Sequence, residues 1–259
     1  MTVSILADNS PGNYTAAEHG FSCFVEHDGK RLLFDTGQSS LFLENARIMG
    51  IDMTAVETIV LSHGHFDHGD GLQYLQGGKL ICHPGCFVKR FRIADYSYIG
   101  LKNTKEELSA RFKLITSATP YHISDKIVFL GEIPRITGFE SKRTSFILDN
   151  GIPDFVMDDS AIALLLGEGL FVITGCGHAG IVNILEHAKN ITGEKRIYGI
   201  LGGFHLKHAD LQIKETIRYL KKNDVVKVFP SHCTDKPALE LFHASFGRTM
   251  VKTGQKLTF

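Results

Sequence analysis

The chain has 259 residues, a length that one α/β domain can reach, and 43% of them are hydrophobic, as expected of a protein that buries a sizeable core. Lys and Arg total 28 and Asp and Glu total 28, so the zero net charge favours neither a nucleic-acid partner nor a membrane surface. The five cysteines include no Cys-x-x-Cys pair, which predicts reduced thiols. The N-terminus is unlike a signal peptide and the apolar runs are too short for a bilayer, so we predict a cytoplasmic protein with no membrane partner.

Short apolar, β-branched segments bounded by Gly, Asn, Asp or Pro predict strands along most of the chain. The Asp-Gly pair within EHDGK (26–30) predicts a hairpin between two early strands, and GEG (167–169) joins two later ones. The predicted strands are residues 3–6, 22–27, 31–36, 58–63, 79–83, 112–116, 126–130, 144–148, 161–166, 169–174, 196–201 and 225–230.

Apolar residues at helical spacing predict helices at residues 38–49, 180–190 and 209–222, the last of them capped by Asp210. Hairpin-linked strands come first, and strands alternate with helices in the last third of the chain. This mixture predicts two mixed sheets with helices outside them, a layered α/β sandwich formed by a single domain. Residues 84–125 are rich in Lys, Arg, Tyr and Phe and give weak strand signals, so we interpret them as a flap inserted within that domain.

The sequence SHGHFDHG at residues 62–69 places three histidines and one aspartate within six positions. Imidazole is the commonest protein ligand of zinc-like ions, and carboxylates bind them too. His63 and His65 lie two apart in an extended segment and point the same way, so they are predicted to bind one ion. Asp67 and His68 are predicted to serve a second ion, which two-metal hydrolytic sites hold about 3.5–4 Å from the first. A solvated polar loop is the alternative, which this spacing disfavours.

Three later strands are each followed by Gly or Pro and then by a histidine, at His178, His205 and His232. Each alone would more often be an ordinary surface or core histidine, but strand ends of this kind meet at one rim of a sheet. We therefore predict His178 and His232 as metal ligands, and His205 as either a ligand or an acid that faces the substrate. Asp35, which ends an apolar strand, is either a turn residue or a support that orients a metal-bound histidine. His19 precedes a strand whose end could face the same cleft.

LFDTG (33–37), the SHGHFDHG motif and the distant His232 together resemble the metallo-β-lactamase superfamily. The resemblance implies a four-layer αβ/βα sandwich of two mixed sheets with a metal site at one edge. It implies that the first two histidines of the motif bind one ion and that Asp67 and His68 bind the other. It also makes His232 the final histidine ligand.

The second half of the chain is similar to proteins labelled 7,8-dihydropterin-6-yl-methyl-4-(β-D-ribofuranosyl)aminobenzene-5′-phosphate synthase. The similar segments are TGCGHAGIVN (174–183), GGFHL (202–206) and SHC (231–233). The label implies a transferase that joins a dihydropterin diphosphate to an aminobenzene riboside phosphate. The usual bridging aspartate of the superfamily has no clear counterpart, so Cys176 or His178 is expected in its place. A thiolate at Cys176 would favour softer metals such as zinc.

The leading prediction is a metal-dependent hydrolase, in which metal-activated hydroxide attacks a phosphate or other ester of a small molecule. Two divalent ions are expected, zinc before manganese or iron. Asp67 is predicted to hold the nucleophile, and His205 to protonate the leaving oxygen. In the transferase alternative, flap aromatics stack on a pterin-like substrate while Lys89, Arg90 and Arg92 meet phosphates, unless the flap is a plain solvated insertion. A non-catalytic, metal-stabilised binding protein is the third hypothesis.

Overall fold

Fifteen strands and six α-helices occur in the computed structural model, which describes residues 1–207, 210–247 and 250–259. The strands are β1 (Thr2–Ala7), β2 (Ser22–His27), β3 (Lys30–Phe34), β4 (Thr58–Val60), β5 (Lys79–Cys82), β6 (Arg90–Arg92), β7 (Lys113–Thr116), β8 (Tyr121–Ser124), β9 (Ile127–Phe129), β10 (Phe146–Leu148), β11 (Ala161–Leu166), β12 (Gly169–Thr174), β13 (Ile197–Gly203), β14 (Lys227–Ser231) and β15 (Lys256–Thr258). The α-helices are α1 (Leu41–Ile48), α2 (Phe66–Gly69), α3 (Lys105–Arg111), α4 (Ile181–Thr192), α5 (Leu211–Lys222) and α6 (Lys236–Phe246), and 3₁₀ turns cover Met53–Ala55, Asp70–Tyr74 and Pro84–Phe87. No helix within the described ranges has both the length and the apolarity needed to cross a membrane.

The strands assemble into two large mixed sheets and one separate pair. The first sheet has the order β15-β1-β2-β3-β4-β5-β7 and the second has the order β14-β13-β12-β11-β9-β8. Both predicted hairpins are present, because β2 pairs antiparallel with β3 around Asp28 and Gly29, and β11 pairs antiparallel with β12. In the last third, β12, β13 and β14 run parallel and are connected through α4 and α5. The predicted α/β class with two mixed sheets is confirmed.

Three apolar clusters show how these layers stack. One lies between the sheets and combines Ile5 and Phe34 of the first sheet with Phe129 and Ile173 of the second. Another joins the outer face of the second sheet to α4, α5 and α6, and the third joins the outer face of the first sheet to α1 and α3. Each fully buried leucine or phenylalanine contributes about 1.5–3 kcal/mol relative to an exposed one, so these clusters dominate the stability of the sandwich. The layer order helix–sheet–sheet–helix is the four-layer arrangement that the resemblance implies.

Helix caps connect the helices to distant parts of the chain. The N-cap of α4 is a glycine without a capping side chain, and the buried Glu140 carboxylate accepts hydrogen bonds from the N–H groups of Val182 and Asn183, each at 2.9 Å. This satisfies backbone donors that a helix N-terminus otherwise leaves free. The Asp210 side chain caps α5 as predicted, and residue 209 of that predicted segment lies outside the described residues.

The segment predicted as an inserted flap, residues 84–125, is only partly separate from the sheets. Strand β6 pairs antiparallel with β10, Arg92 opposite Phe146, and this two-stranded flap lies outside both sheets. Strands β7 and β8, in contrast, are the last strands of the first and second sheets. Strand β7 was predicted at residues 112–116, whereas β8 was not, because an edge strand needs little apolar surface and the residues of β8 are exposed or half-buried. Within residues 84–125, β6 is the described strand that lies outside both large sheets, and its partner β10 comes from further along the chain.

Candidate metal centre

The residues predicted as ligands follow strands of both sheets at one rim. Strands β3 and β4 of the first sheet and β12, β13 and β14 of the second each end just before one or more of them. Because the carboxyl ends of parallel strands share an edge, this topology brings side chains together that are far apart in sequence. The residues that follow these strands are Asp35, His63, Cys176, His178, His205 and His232.

The SHGHFDHG motif leaves β4 as a loop and then forms the single helical turn α2. His65 is the extended N-cap of that turn, and its Nδ1 lies 3.0 Å from Nε2 of His63, as expected for two residues on one side of an extended segment. Asp67 and His68 lie on the helical turn itself. The turn still directs the two adjacent side chains toward different partners.

The first cluster of possible ligands comprises His63, His65 and His178, whose nearest ligand atoms lie within 4.8 Å of one another. Nε2 of His65 and Nε2 of His178 are buried and have no hydrogen-bond partner among the described residues. Burial lowers the pKa of all three histidines, that of His65 to about 3. Three neutral imidazoles, two of which have an unpaired, buried Nε2, are a donor set that fits a divalent cation, because such a cation needs free lone pairs.

The second cluster comprises His19, Asp67 and His232. Asp67 Oδ2 lies 3.1 Å from Nε2 of His19 and 3.2 Å from Nε2 of His232, while His68 Nε2 lies 3.1 Å from the same His232 atom. Burial would raise the pKa of Asp67, but the charge of His68 and hydrogen bonds from the other histidines hold it well below its usual range. Asp67 is therefore ionised and available as a ligand. The sequence indicated His19 only because it precedes a strand whose end could face the same cleft.

Cys176 lies between these clusters. It forms a group with His63 and His68 whose ligand atoms fall within 4.8 Å, and its Sγ is 3.2 Å from His68 Nε2. Burial raises the pKa of the Cys176 thiol in the protein without a cation. His178 groups with His63 and His65 instead, so of the two residues that the sequence left open for the bridging position, Cys176 is the one that lies near both His63 and His68.

Asp35 contacts the histidine clusters through His68 and Ser62, as the second of the two alternatives that the sequence offered for it would require. Its Oδ2 accepts a hydrogen bond from His68 Nδ1 at 2.7 Å, and its two oxygens bind the N–H and the hydroxyl of Ser62, each at 2.7 Å. The Ser62 hydroxyl is in turn 2.9 Å from Nδ1 of His63. These contacts fix Nδ1 of His68 as a donor and leave its Nε2 for the centre. Gly175 is required here, because a Cβ at that position would lie 2.0 Å from Ser62 Oγ.

His205 stands beside the two clusters and belongs to neither. Its ring centroid is 4.3 Å from that of His178, and its ligand atoms group with those of Cys176 and Cys233. The backbone at His205 is left-handed (φ 48°), a conformation that non-glycine residues adopt at a cost and that often marks functional sites. Its Nδ1 has no hydrogen-bond partner within the described part of the chain.

A cleft of about 410 Å³ opens onto this centre, a volume typical of small-molecule sites. Arg92 and Lys207 contribute positive charge to its lining, and Phe66, Ile99 and Phe146 contribute apolar surface. The Phe146 ring lies edge-on to His65 with centroids 5.0 Å apart. Sequence reasoning missed Phe146, because only its register opposite Arg92 in the flap brings it to the histidines.

The other flap aromatics pack on one another. The Phe91 ring stacks on Tyr96 with centroids 4.8 Å apart, and Tyr98 meets it edge-on at 5.5 Å. None of these three side chains lines the cleft. Among the aromatic residues of 84–125, the structure therefore supplies no stacking platform for a substrate.

Arg90 does not face the cleft, in contrast to the sequence hypothesis that it meets a substrate phosphate. It is 1% exposed, and it forms ion pairs with Asp158 at 2.7 Å and Asp154 at 3.3 Å. The second oxygen of Asp158 accepts the N–H of Gly64 at 2.7 Å, so this buried network holds the motif loop in place. Lys89 is exposed, and of the three basic residues only Arg92 lines the cleft.

Comparisons with known proteins agree with this geometry. The family model described as metallo-beta-lactamase superfamily matches residues 16–79. An uncharacterized protein of Methanocaldococcus jannaschii is 38% identical over 246 residues, covering 92% of each chain. The 7,8-dihydropterin-6-methyl-4-(beta-D-ribofuranosyl)-aminobenzene-5'-phosphate synthase of the same organism is 33% identical over 253 residues, covering 89% of this chain and 85% of that protein. The chain belongs to the metallo-beta-lactamase superfamily.

Solved structures of the metallo-beta-lactamase superfamily share the fold. The crystal structure of Tm1679, a metal-dependent hydrolase of the beta-lactamase superfamily, has a TM-score of 0.87 and 31% identity, covering 100% of this chain and 99% of that one. Zn²⁺-bound PqqB from Methylobacterium extorquens has a TM-score of 0.60 at 15% identity, with all of both chains covered, and shows the fold alone. The family model ends at residue 79, so Cys176 and the other ligand candidates of the second sheet lie outside its match.

Proposed function

We propose that this protein is a metal-dependent hydrolase that cleaves a phosphate ester or another ester of a small molecule. The observation that carries the proposal is the convergence, at one rim, of buried imidazole nitrogens without partners from both sheets. When bound, divalent cations supply Lewis acidity and lower the pKa of water to about 7. The similarity to a metal-dependent hydrolase over the whole chain supports the same class of reaction.

The donor set favours two ions, and zinc before manganese or iron, since imidazole and thiolate both suit zinc. The residues that would hold the ions are His63, His65 and His178 for the first and Asp67, His68 and His232 for the second, with Cys176 between them. All five cysteines are free thiols, which fits the reducing cytoplasm in which we place the protein.

Two residues at the cleft are proposed to act directly in the reaction. Asp67 lies at the cleft surface with an ionised carboxylate, so it can accept a hydrogen bond from the attacking water and orient it. His205 lines the same cleft on the other side of His178, and its Nδ1 is unpaired among the described residues. An imidazole in this position can deliver a proton to the leaving oxygen.

The test combines metal content with turnover. Protein purified without chelator or added metal should contain two equivalents of divalent metal by elemental analysis and should hydrolyse bis-p-nitrophenyl phosphate. His65→Ala should lose both a metal equivalent and turnover, whereas His122→Ala, an exposed histidine on β8, should keep both. Full metal content without turnover on a broad ester panel would instead support a binding protein, and one equivalent of iron would support oxygen chemistry.

A second candidate is a transferase that acts on a pterin-like substrate. It is favoured by the 33% identity to the aminobenzene phosphate synthase across most of both chains. In this case Phe66 and Phe146 would contact the flat ring, and the cations would hold the diphosphate leaving group. The measurement that separates the candidates is diphosphate release, which a transferase shows only when a dihydropterin diphosphate and an aminobenzene riboside phosphate are both present.

A further inference from the structure

A second, smaller cavity of about 100 Å³ adjoins the main cleft and is called here the side pocket. It shares four lining residues with the main cleft, so the two spaces meet at the candidate metal centre. The shared residues are Phe146, His178, His205 and Lys207. The rest of its lining comes from two chain segments, with Ser141, Arg143, Thr144 and Ser145 on one and Phe155 and Val156 on the other.

The side pocket carries positive charge without a counter-charge. Arg143 and Lys207 both line it, and its lining contains no carboxylate. Neither cation forms a hydrogen bond or an ion pair with another of the described residues, whereas the buried Arg90 is paired with two carboxylates. Together with the hydroxyl groups of Ser141 and Ser145, these cations form a set of donors that suits an oxyanion.

The wall of the side pocket is held by its own hydrogen bonds. The Arg135 guanidinium donates to the hydroxyl of Ser141 at 3.1 Å and to the carbonyl groups of Phe155 and Val156 at 3.0 and 2.9 Å. The Thr144 hydroxyl donates to a backbone carbonyl of the facing segment. One arginine thus connects both walls, which indicates a cavity formed before any ligand arrives.

We propose that the side pocket binds a phosphate group of the substrate that is separate from the ester that reacts. Its volume suits a group of that size and excludes a ring system, whereas the main cleft has room for a larger body against Phe66 and Ile99. The substrate class is then a small molecule with two anionic centres, one at the metal centre and one between Arg143 and Lys207. This inference rests on the proposed function, because it assumes that the reacting group lies at the histidine clusters.

The test compares two ligands that differ by one phosphate. Binding of thymidine 5′-monophosphate and thymidine 3′,5′-bisphosphate to the zinc-loaded protein is measured by titration calorimetry. We expect the bisphosphate to bind at least about tenfold more tightly, as charge-assisted hydrogen bonds to a second phosphate should provide. In Arg143→Met/Lys207→Met that gain should fall below about twofold. Lys222→Met, an exposed lysine at the end of α5, should leave it unchanged.

Two outcomes would overturn the side-pocket proposal: equal affinity of the two ligands for the wild type, or an unchanged gain in the double variant. Both replaced side chains are outside the core clusters, and circular dichroism verifies that the variants fold. His65→Ala separates this inference from the proposed function. If His65→Ala leaves the affinity for the monophosphate unchanged, the metal centre does not hold the reacting phosphate and the proposed function fails. The side-pocket proposal is tested separately, by the difference in affinity between the monophosphate and the bisphosphate.

Discussion

Replacing Arg90 by methionine should destabilise the protein strongly, because it removes the counter-ion of two buried carboxylates. Arg90 is 1% exposed and its nearest contact is 2.7 Å, to Asp158. Asp154 forms the other ion pair, and Asp158 also holds the N–H of Gly64 in the motif loop. Methionine fills much of the same space, so the change tests charge more than volume.

Removing one partner of a buried ion pair typically costs about 3–5 kcal/mol, since the other charge is left without compensation. We expect a loss of this size at pH 7. For a chain of this length, each kcal/mol corresponds to about 2–4 °C in Tm, so Tm should fall by about 6–20 °C. The matched control is Arg92→Met on the same strand, because the one ion pair of Arg92 among the described residues is with the exposed Asp95, and such surface pairs contribute about 0–1 kcal/mol.

The stability cost of replacing Arg90 should depend on pH. Burial raises the pKa of Asp158 and Arg90 lowers it, with a net value below the usual 3.8, so the pair stabilises the folded state above pH 4 and loses this effect as pH falls further. Without Arg90, burial is opposed by smaller effects such as the hydrogen bond from the Gly64 N–H, so the pKa of Asp158 rises and the variant loses stability as pH increases above 4. The difference between wild type and Arg90→Met should therefore be larger at pH 7 than at pH 4.

The assay is urea unfolding of both proteins at the two pH values and at equal metal content, followed by circular dichroism. A cost below about 1 kcal/mol at pH 7 would show that the buried pairs contribute no more than surface pairs. A cost that is the same at both pH values would show that the variant is destabilised by packing and not by uncompensated charge. Either result refutes the electrostatic account of this network.

Three further predictions concern other buried carboxylates. Glu140→Ala should lower the free energy of unfolding by about 1–3 kcal/mol in urea titrations, because α4 loses the acceptor for its first N–H groups, and Glu140→Gln should recover part of this. Asp35→Asn should weaken zinc binding about 10- to 100-fold in competition with a chromogenic chelator, since His68 loses its orienting acceptor; unchanged affinity would contradict that role. Burial raises the pKa of Asp159 to about 7, so its contribution to stability is lost as pH rises from about 4 to 7. Between pH 4 and pH 8, the free energy of unfolding of Asp159→Asn should therefore increase by up to about 4 kcal/mol relative to that of wild type. Parallel pH profiles of the two proteins would contradict this.

Local patterns were sufficient to predict most of the fold. The alternation and turn signals around Asp28 and Gly29 specify a hairpin by themselves, and the apolar spacing of residues 181–188 specifies α4. The edge strand β8 was not predicted, because an edge strand needs little apolar surface and the residues of β8 are at best half-buried. The pairing of β6 with β10 was not predicted either, because sequence signals do not show which distant strand forms the partner.

Most residues of the candidate site could be identified from the sequence because histidines and aspartates rarely occur as close together as in residues 62–69. His63 and His65 cluster as expected, and His178 and His232 join them from the second sheet. The sequence could not distinguish between Cys176 and His178 as the candidate for the bridging position, since both follow the same strand within four residues. Arg90 was wrongly predicted to contact a substrate phosphate, because a basic residue in a polar segment gives no sign in the sequence that it pairs with two buried aspartates.

The donors of the candidate centre come from both halves of the sandwich, with His63 and Asp67 following strands of the first sheet and His178 and His232 following strands of the second. Any cation held there would cross-link the two sheets at their rim, in addition to the apolar core that they share. Chelators should then loosen the rim before they disturb either sheet, and the ion would serve folding and chemistry through the same few bonds.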